Sequence, residues 1–165
     1  MATERVPPPR RGSERDILAG TLDYLRTAIV RKAEGLTEQQ SRLAPVPPST
    51  MTPAGLVKHL TGTERFWFSI DFAGLDLPHP WPDDDPHGAW ALADTDTLPG
   101  LIEAYRAECA RSDAGVAGYD LDDTARGEGM DFLLRYAYAH MIQETARHAG
   151  HLDLLREVID GTRGQ

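Results

Sequence analysis

Apolar residues recur along this chain at helical spacing in four long stretches, and nowhere do they alternate convincingly in the manner of a strand. Ile17, Leu18, Leu22, Leu25, Ile29 and Val30 fall on one face of a first helix, which Ser13 and Asp16 open as an N-cap pair and Gly35 stops. Thr37 and Gln40 predict a short capped turn over Leu43. The prolines at 45, 47 and 48 then force an extended segment. Thr52 followed by Pro53 has the form of a cap residue outside a helix and a proline at its first position. Leu56, Val57, Leu60, Phe66, Trp67 and Ile70 carry this second helix to Gly74. Leu101, Ile102, Tyr105 and Val116 predict a third helix over 98–117. Asp131 is expected to cap a fourth, in which Phe132, Leu133, Tyr136, Ala139, Ile142, Leu152, Leu155 and Ile159 recur until Gly161.

The remaining segments lack periodicity. Residues 1–12 are rich in proline and arginine and read as a mobile lead-in, and 162–165 as a short tail. Between 75 and 96, prolines and acidic residues surround Trp81 and Trp90 in a stretch too broken for a regular helix and long for a passive connection, as functional loops often are. A polar stretch, 120–129, precedes the fourth helix. Four long helices with such connections predict an all-α fold, a four-helix bundle built as one domain over 13–161. A chain of 165 residues is long enough for one full core and short for two.

Charge and cysteine content narrow the chemistry. Lysine and arginine number 17 against 26 aspartates and glutamates, a net charge of −9 that argues against binding nucleic acid or an anionic membrane surface. No apolar run approaches the length of a membrane span, so a cytoplasmic location is expected. Cys109 is the single cysteine, with no histidine near it in sequence, and reads as a packed helix residue rather than a nucleophile. A metal site here must therefore use nitrogen and oxygen.

The fourth helix carries such donors. A step of four residues turns a helix by about 400°, so Glu144 and His148 project from one face about 40° apart and can grip one ion. His140 and His151 extend the same stripe. His59 lies in the second turn of the second helix beside Leu56, Leu60 and Thr63, a placement that points it inward, and it is the best third donor. Two histidines and a carboxylate with an open position are what a catalytic zinc site needs. The competing reading is a solvated face on which Glu144 pairs with Arg147 and the histidines are exposed by chance. His79 and His87, in the proline-rich loop, are expected to be solvent-exposed. A di-iron site would demand Glu-x-x-His pairs on two helices, which this chain does not supply.

The runs LVKHLTGTERFWF (56–68), HMIQETARHAGHLDLLRE (140–157) and GLTEQQ (35–40) resemble the DinB-like superfamily of four-helix metal-binding proteins. Within it they are similar to the actinobacterial branch related to the mycothiol-dependent maleylpyruvate isomerases. The resemblance implies a DinB-like bundle with His59, Glu144 and His148 as metal ligands. It places His151 beside the site, touching a ligand or the substrate, and His140 where it orients the carboxylate. Glutamate in the first place of the fourth-helix pair, where many relatives have histidine, favours the thiol-using branch. The implied cofactor is a divalent metal, zinc first, with nickel, manganese or iron able to occupy the same atoms. The implied partners are mycothiol or a similar low-molecular-weight thiol and a small electrophile, in an S-transferase or isomerase-like detoxification reaction. Two alternatives stand beside it: a metal-dependent hydrolase, and a non-catalytic, dimeric bundle that binds metal or a small ligand under stress.

Overall fold

Ser13 begins the first helix because its hydroxyl accepts the Asp16 N–H at 3.1 Å while the Asp16 carboxylate accepts the Ser13 N–H at 3.0 Å, a reciprocal capping box. This helix, α1, spans Glu14–Glu34 in the computed structural model, which describes residues 5–81, 85 and 88–164. Thr37 and Gln40 form a second capping box on the one-turn helix α2, Glu38–Ser41. Thr52 caps α3, Pro53–Glu64, by accepting the Gly55 N–H at 3.0 Å. Thr97 caps α4, Leu98–Val116. The longest helix, α5, runs Leu134–Asp160 and ends on Gly161, whose φ of 75° suits the left-handed cap that glycine adopts without strain. Among the described residues there is no strand, only an isolated antiparallel bridge between Thr124 and Leu133.

Two expectations are corrected. Asp131 does not cap the last helix, and Phe132 and Leu133 lie outside it. Leu133 occupies the N-cap position without a side-chain cap bond. The polar stretch before it supplies the acceptors instead: the amides of Leu134 and Arg135 donate to the carbonyls of Asp123 and Leu121 at 3.0 and 3.1 Å, and Ala125 donates to Phe132 at 2.8 Å. Backbone pairing thus satisfies the open helix end that a cap side chain would otherwise serve. The second helix also reaches Gly74 by an unexpected route. Beyond α3 it continues as a π-helix over Arg65–Phe72, with the Ala73 N–H donating five residues back to Phe68 at 2.9 Å.

The expected lead-in is non-helical over residues 5–12 but lies against α1, where the Arg5 guanidinium stands 3.5 Å over the Tyr24 ring. Four long helices enclose the core in two parts. Ile29, Leu56, Leu60, Tyr105, Leu152 and Leu155 fill one end; Leu22, Phe68, Phe72, Val116, Leu134 and Met141 fill the other. Each helix places polar residues between the two: Arg26 on α1, Glu64 on α3, Ser112 on α4 and Thr145 on α5, all buried. Glu64 is fully buried and accepts a bidentate pair from Arg26 at 2.7 and 2.6 Å. Such a charged waist is costly to desolvate and is tolerated because the fork geometry satisfies both carboxylate oxygens. No helix of the described residues is long and apolar enough to cross a membrane.

Candidate metal centre

His59 faces α5 because α3 turns its Leu56 and Leu60 side into the core, which leaves the ring half-buried at the helix boundary. Glu144 and His148 meet it from α5. One carboxylate oxygen, Oε1 of Glu144, lies 3.2 Å from Nε2 of His59 and 2.9 Å from Nε2 of His148. Side-chain exposures of 13, 15 and 6 % for His59, Glu144 and His148 exclude the solvated-face reading for all three. Arg147 retains part of that reading: it is exposed and reaches Glu144 Oε2 at 3.4 Å.

Charge and tautomer follow from this geometry. Hydrogen bonds from His148 first and His59 second hold the Glu144 carboxyl far below the usual carboxylate range, against the opposing effect of burial. Both imidazoles must carry their proton on Nε2 to donate to it. Nδ1 of His148 and Nδ1 of His151 lie 3.2 Å apart, with donor and acceptor set by the tautomers of the two rings. A cation bound at the two Nε2 atoms would leave His148 Nδ1–H to donate to His151, the usual way in which a neighbour fixes a ligand's tautomer. Burial, and secondarily repulsion from His148, push the His151 imidazole below its ordinary value. That keeps it the neutral acceptor such an arrangement uses.

His59 is held differently. Its Nδ1 is buried without a hydrogen-bond partner among the described residues, and its ring is clamped by stacking on Trp90 at 3.9 Å and 9°. Trp90 also meets the His148 ring edge-on at 5.2 Å. The long loop reaches the site through two glycines of α3. A Cβ on Gly55 would stand 2.7 Å from the Trp90 carbonyl oxygen, and one on Gly62 would stand 2.8 Å from the Trp81 ring. Gly55, His59 and Gly62 share one helix face, so the two glycines seat the two tryptophans on either side of the histidine. Lys58 fastens the loop, donating to the Ala91 carbonyl and the Asp96 carboxylate, each at 2.8 Å.

The three donors fit a divalent cation. One ligand atom from each lies within 4.8 Å of the others, two are imidazole nitrogens, and the third is an ionised carboxylate, a set that leaves a dication with a net positive charge. His151 joins the group through His148 rather than as a fourth member. His140 lies one turn before Glu144, with its ring packed on Trp67 at 4.0 Å. Burial lowers its imidazole below its ordinary value, Glu144 opposing and Arg147 adding to the effect. His79 is exposed against Phe66, away from the cluster; His87 lies outside the described residues. Cys109 is half-buried in α4, and burial, with Glu64 beside it, pushes its thiol well up, as befits a packed residue.

Sequence reasoning did not find the seats of the tryptophans. The available signal was the pair of glycines inside a helix, each costing about 1 kcal/mol relative to alanine and so needing a packing reason.

The family model described as mycothiol-S-transferase matches residues 17–161. No curated protein matches the chain. Among solved structures, a conserved protein from Enterococcus faecalis is similar over 92 % of this chain and 100 % of its own, with a TM-score of 0.67 at 14 % identity, a likeness of fold.

Proposed function

We propose, from the premise that this chain belongs to the mycothiol-S-transferase family, a DinB-like family, that it is a divalent-metal-dependent S-transferase joining mycothiol or a related low-molecular-weight thiol to a small electrophile. The convergence of His59, Glu144 and His148 carries this reading. The ion, zinc in the first instance with nickel, manganese or iron suited to the same donors, supplies when bound the positive charge that favours the thiolate of an entering thiol. Glu144 holds a fixed negative charge that retains the cation, and His148 is steadied through Nδ1 by His151. Trp90 covers one face of His59 and screens that side of the site from water. The sulfur loses its proton to solvent and forms a new bond to carbon, and the leaving group departs with its electron pair; with a conjugated alkene, addition and reprotonation replace departure. Conjugation of this kind implies a detoxifying role in the cytoplasm.

The three-donor set, with His151 held back on His148, supports an open coordination position and therefore catalysis over a saturated, non-catalytic site. Conjugation assays with mycothiol and a panel of electrophiles test it, alongside metal content after purification without a histidine tag. His59→Ala, Glu144→Ala and His148→Ala are expected to lose both metal and turnover, and His79→Ala to keep both. Metal-loaded protein with neither thiol binding nor turnover would refute the reading.

A further inference from the structure

On the same side of the bundle as the candidate metal centre, where the π-helix approaches the start of α5, lies a cleft of about 500 Å³ that the metal reading does not use. Trp67, Phe132 and Tyr136 form one wall. Their ring centroids are 5.5, 6.0 and 5.8 Å apart, with mutual tilts of 52–60°. Tyr136 and Met130 are exposed at its rim. Asp71 and Asp131 also line it, and among the described residues no lysine, arginine or histidine does.

Asp71 is the informative member. Only 5 % of it is exposed, yet its carboxylate has neither a hydrogen bond nor an ion pair among the described residues; its backbone carbonyl alone is used, accepting the Gly127 N–H at 2.8 Å. Burial raises its carboxyl above the ordinary value, and His79, an exposed residue, is the group whose charge opposes this. It also stands in the last turn of its helix, the end at which the backbone dipole disfavours an anion and favours a cation. Its oxygens are not sealed from solvent but open on the cleft, where an anion held without a partner beside apolar rings is costly and a cation would relieve it.

We propose that this cleft binds an organic ammonium ion, a protonated amine or a quaternary ammonium, with the cation against the aromatic wall and Asp71 as its counter-charge. An anion would meet two carboxylates and no base. A neutral apolar ligand would bury Asp71 further without pairing it. A bare metal ion would find carboxylates on one side but aromatic rings where it needs oxygen. An ammonium carrying methyl or methylene groups satisfies rings and carboxylate together, since a cation is attracted to an aromatic face and its alkyl groups are buried by it. The site is independent of thiol transfer: it meets the metal-site stripe of α5 through the contacts of Trp67 and Tyr136 with His140, and none of its lining residues is a candidate metal ligand.

Acetylcholine and its uncharged isostere 3,3-dimethylbutyl acetate separate charge from shape as probes. Calorimetry on the full chain is expected to show acetylcholine binding at least about tenfold more tightly than the isostere, with the same affinity in chelator as in zinc, which separates this cleft from the metal centre. Asp71→Asn should weaken acetylcholine about tenfold while leaving the isostere unchanged, and Trp67→Leu should weaken both. Equal affinity for the two probes, an unaffected Asp71→Asn, or no binding of acetylcholine at millimolar concentration would overturn the proposal. The comparison of probes on the unsubstituted protein needs no variant to fold.

Discussion

Replacing Gly55 by alanine sets two opposed effects against each other, and the structure decides which wins. In a helix interior the change ordinarily stabilises by about 0.5–1 kcal/mol, because alanine has less backbone freedom to lose on folding. At Gly55, however, the new methyl would stand 2.7 Å from the Trp90 carbonyl oxygen and 2.9 Å from the Thr52 hydroxyl that caps α3; ordinary contact begins near 3.4 Å. Backbone carries the first of these atoms, so the 88–90 turn must shift. Overpacking of this kind costs about 1–3 kcal/mol, and disturbing the Thr52 cap adds up to about 1 kcal/mol. The net expectation is a loss of about 2 kcal/mol, or a fall in Tm of about 4–8 °C for a domain of this size. Trp90 would leave its 3.9 Å stack on His59, so tryptophan emission should shift and metal affinity should fall with stability. Gly150→Ala is the control: Gly150 lies within α5 with nothing near its missing Cβ, and the change should stabilise by about 0.5–1 kcal/mol. Thermal melts and metal titrations of both variants check this. A Gly55→Ala protein as stable as the control, with unchanged emission and metal affinity, would refute the seat assigned to Trp90.

Glu64→Ala strands Arg26 in the waist with only the exposed Asp23 and Asp113 for partners, and is expected to cost about 3–5 kcal/mol by urea unfolding; the apolar pair Arg26→Met with Glu64→Leu should recover most of it. His151→Ala leaves the His148 Nδ1 without its neighbour and should weaken metal binding by about 10–100-fold in a competition titration, without removing a ligand. Because burial raises the folded-state carboxyl of Asp71, its contribution favours folding below the unfolded value of 3.8 and is lost as pH rises through the higher folded value. Asp71→Asn should therefore be more stable than the parent at neutral pH, with the gap closing below about pH 4 in melts across pH.

Local chemistry decided much of this protein in advance. Ser13 with Asp16, Thr37 with Gln40, Thr52 with Pro53, and Gly161 set helix ends through bonds that span a few residues, and apolar spacing set which faces turn inward. Glu144 and His148 lie one turn apart on one helix, so their meeting needed only helical geometry. Packing decided the rest. His59 reaches Glu144 only because α3 and α5 adjoin across 85 residues of chain, and Trp90 covers it only because Gly55 admits a loop whose composition specifies no path. The start of α5 eluded its own sequence because Asp131 has the form of a cap while distant carbonyls of 121–123 perform that service. Asp71, unremarkable as one more acidic residue in a chain of net charge −9, acquires meaning only from what surrounds it: three rings, a helix end and a cleft whose described lining holds no base. Spacing along a chain reports contacts made within a turn or two. Burial and the absence of a partner are properties of the whole assembly of helices, and there the tertiary structure has the deciding part.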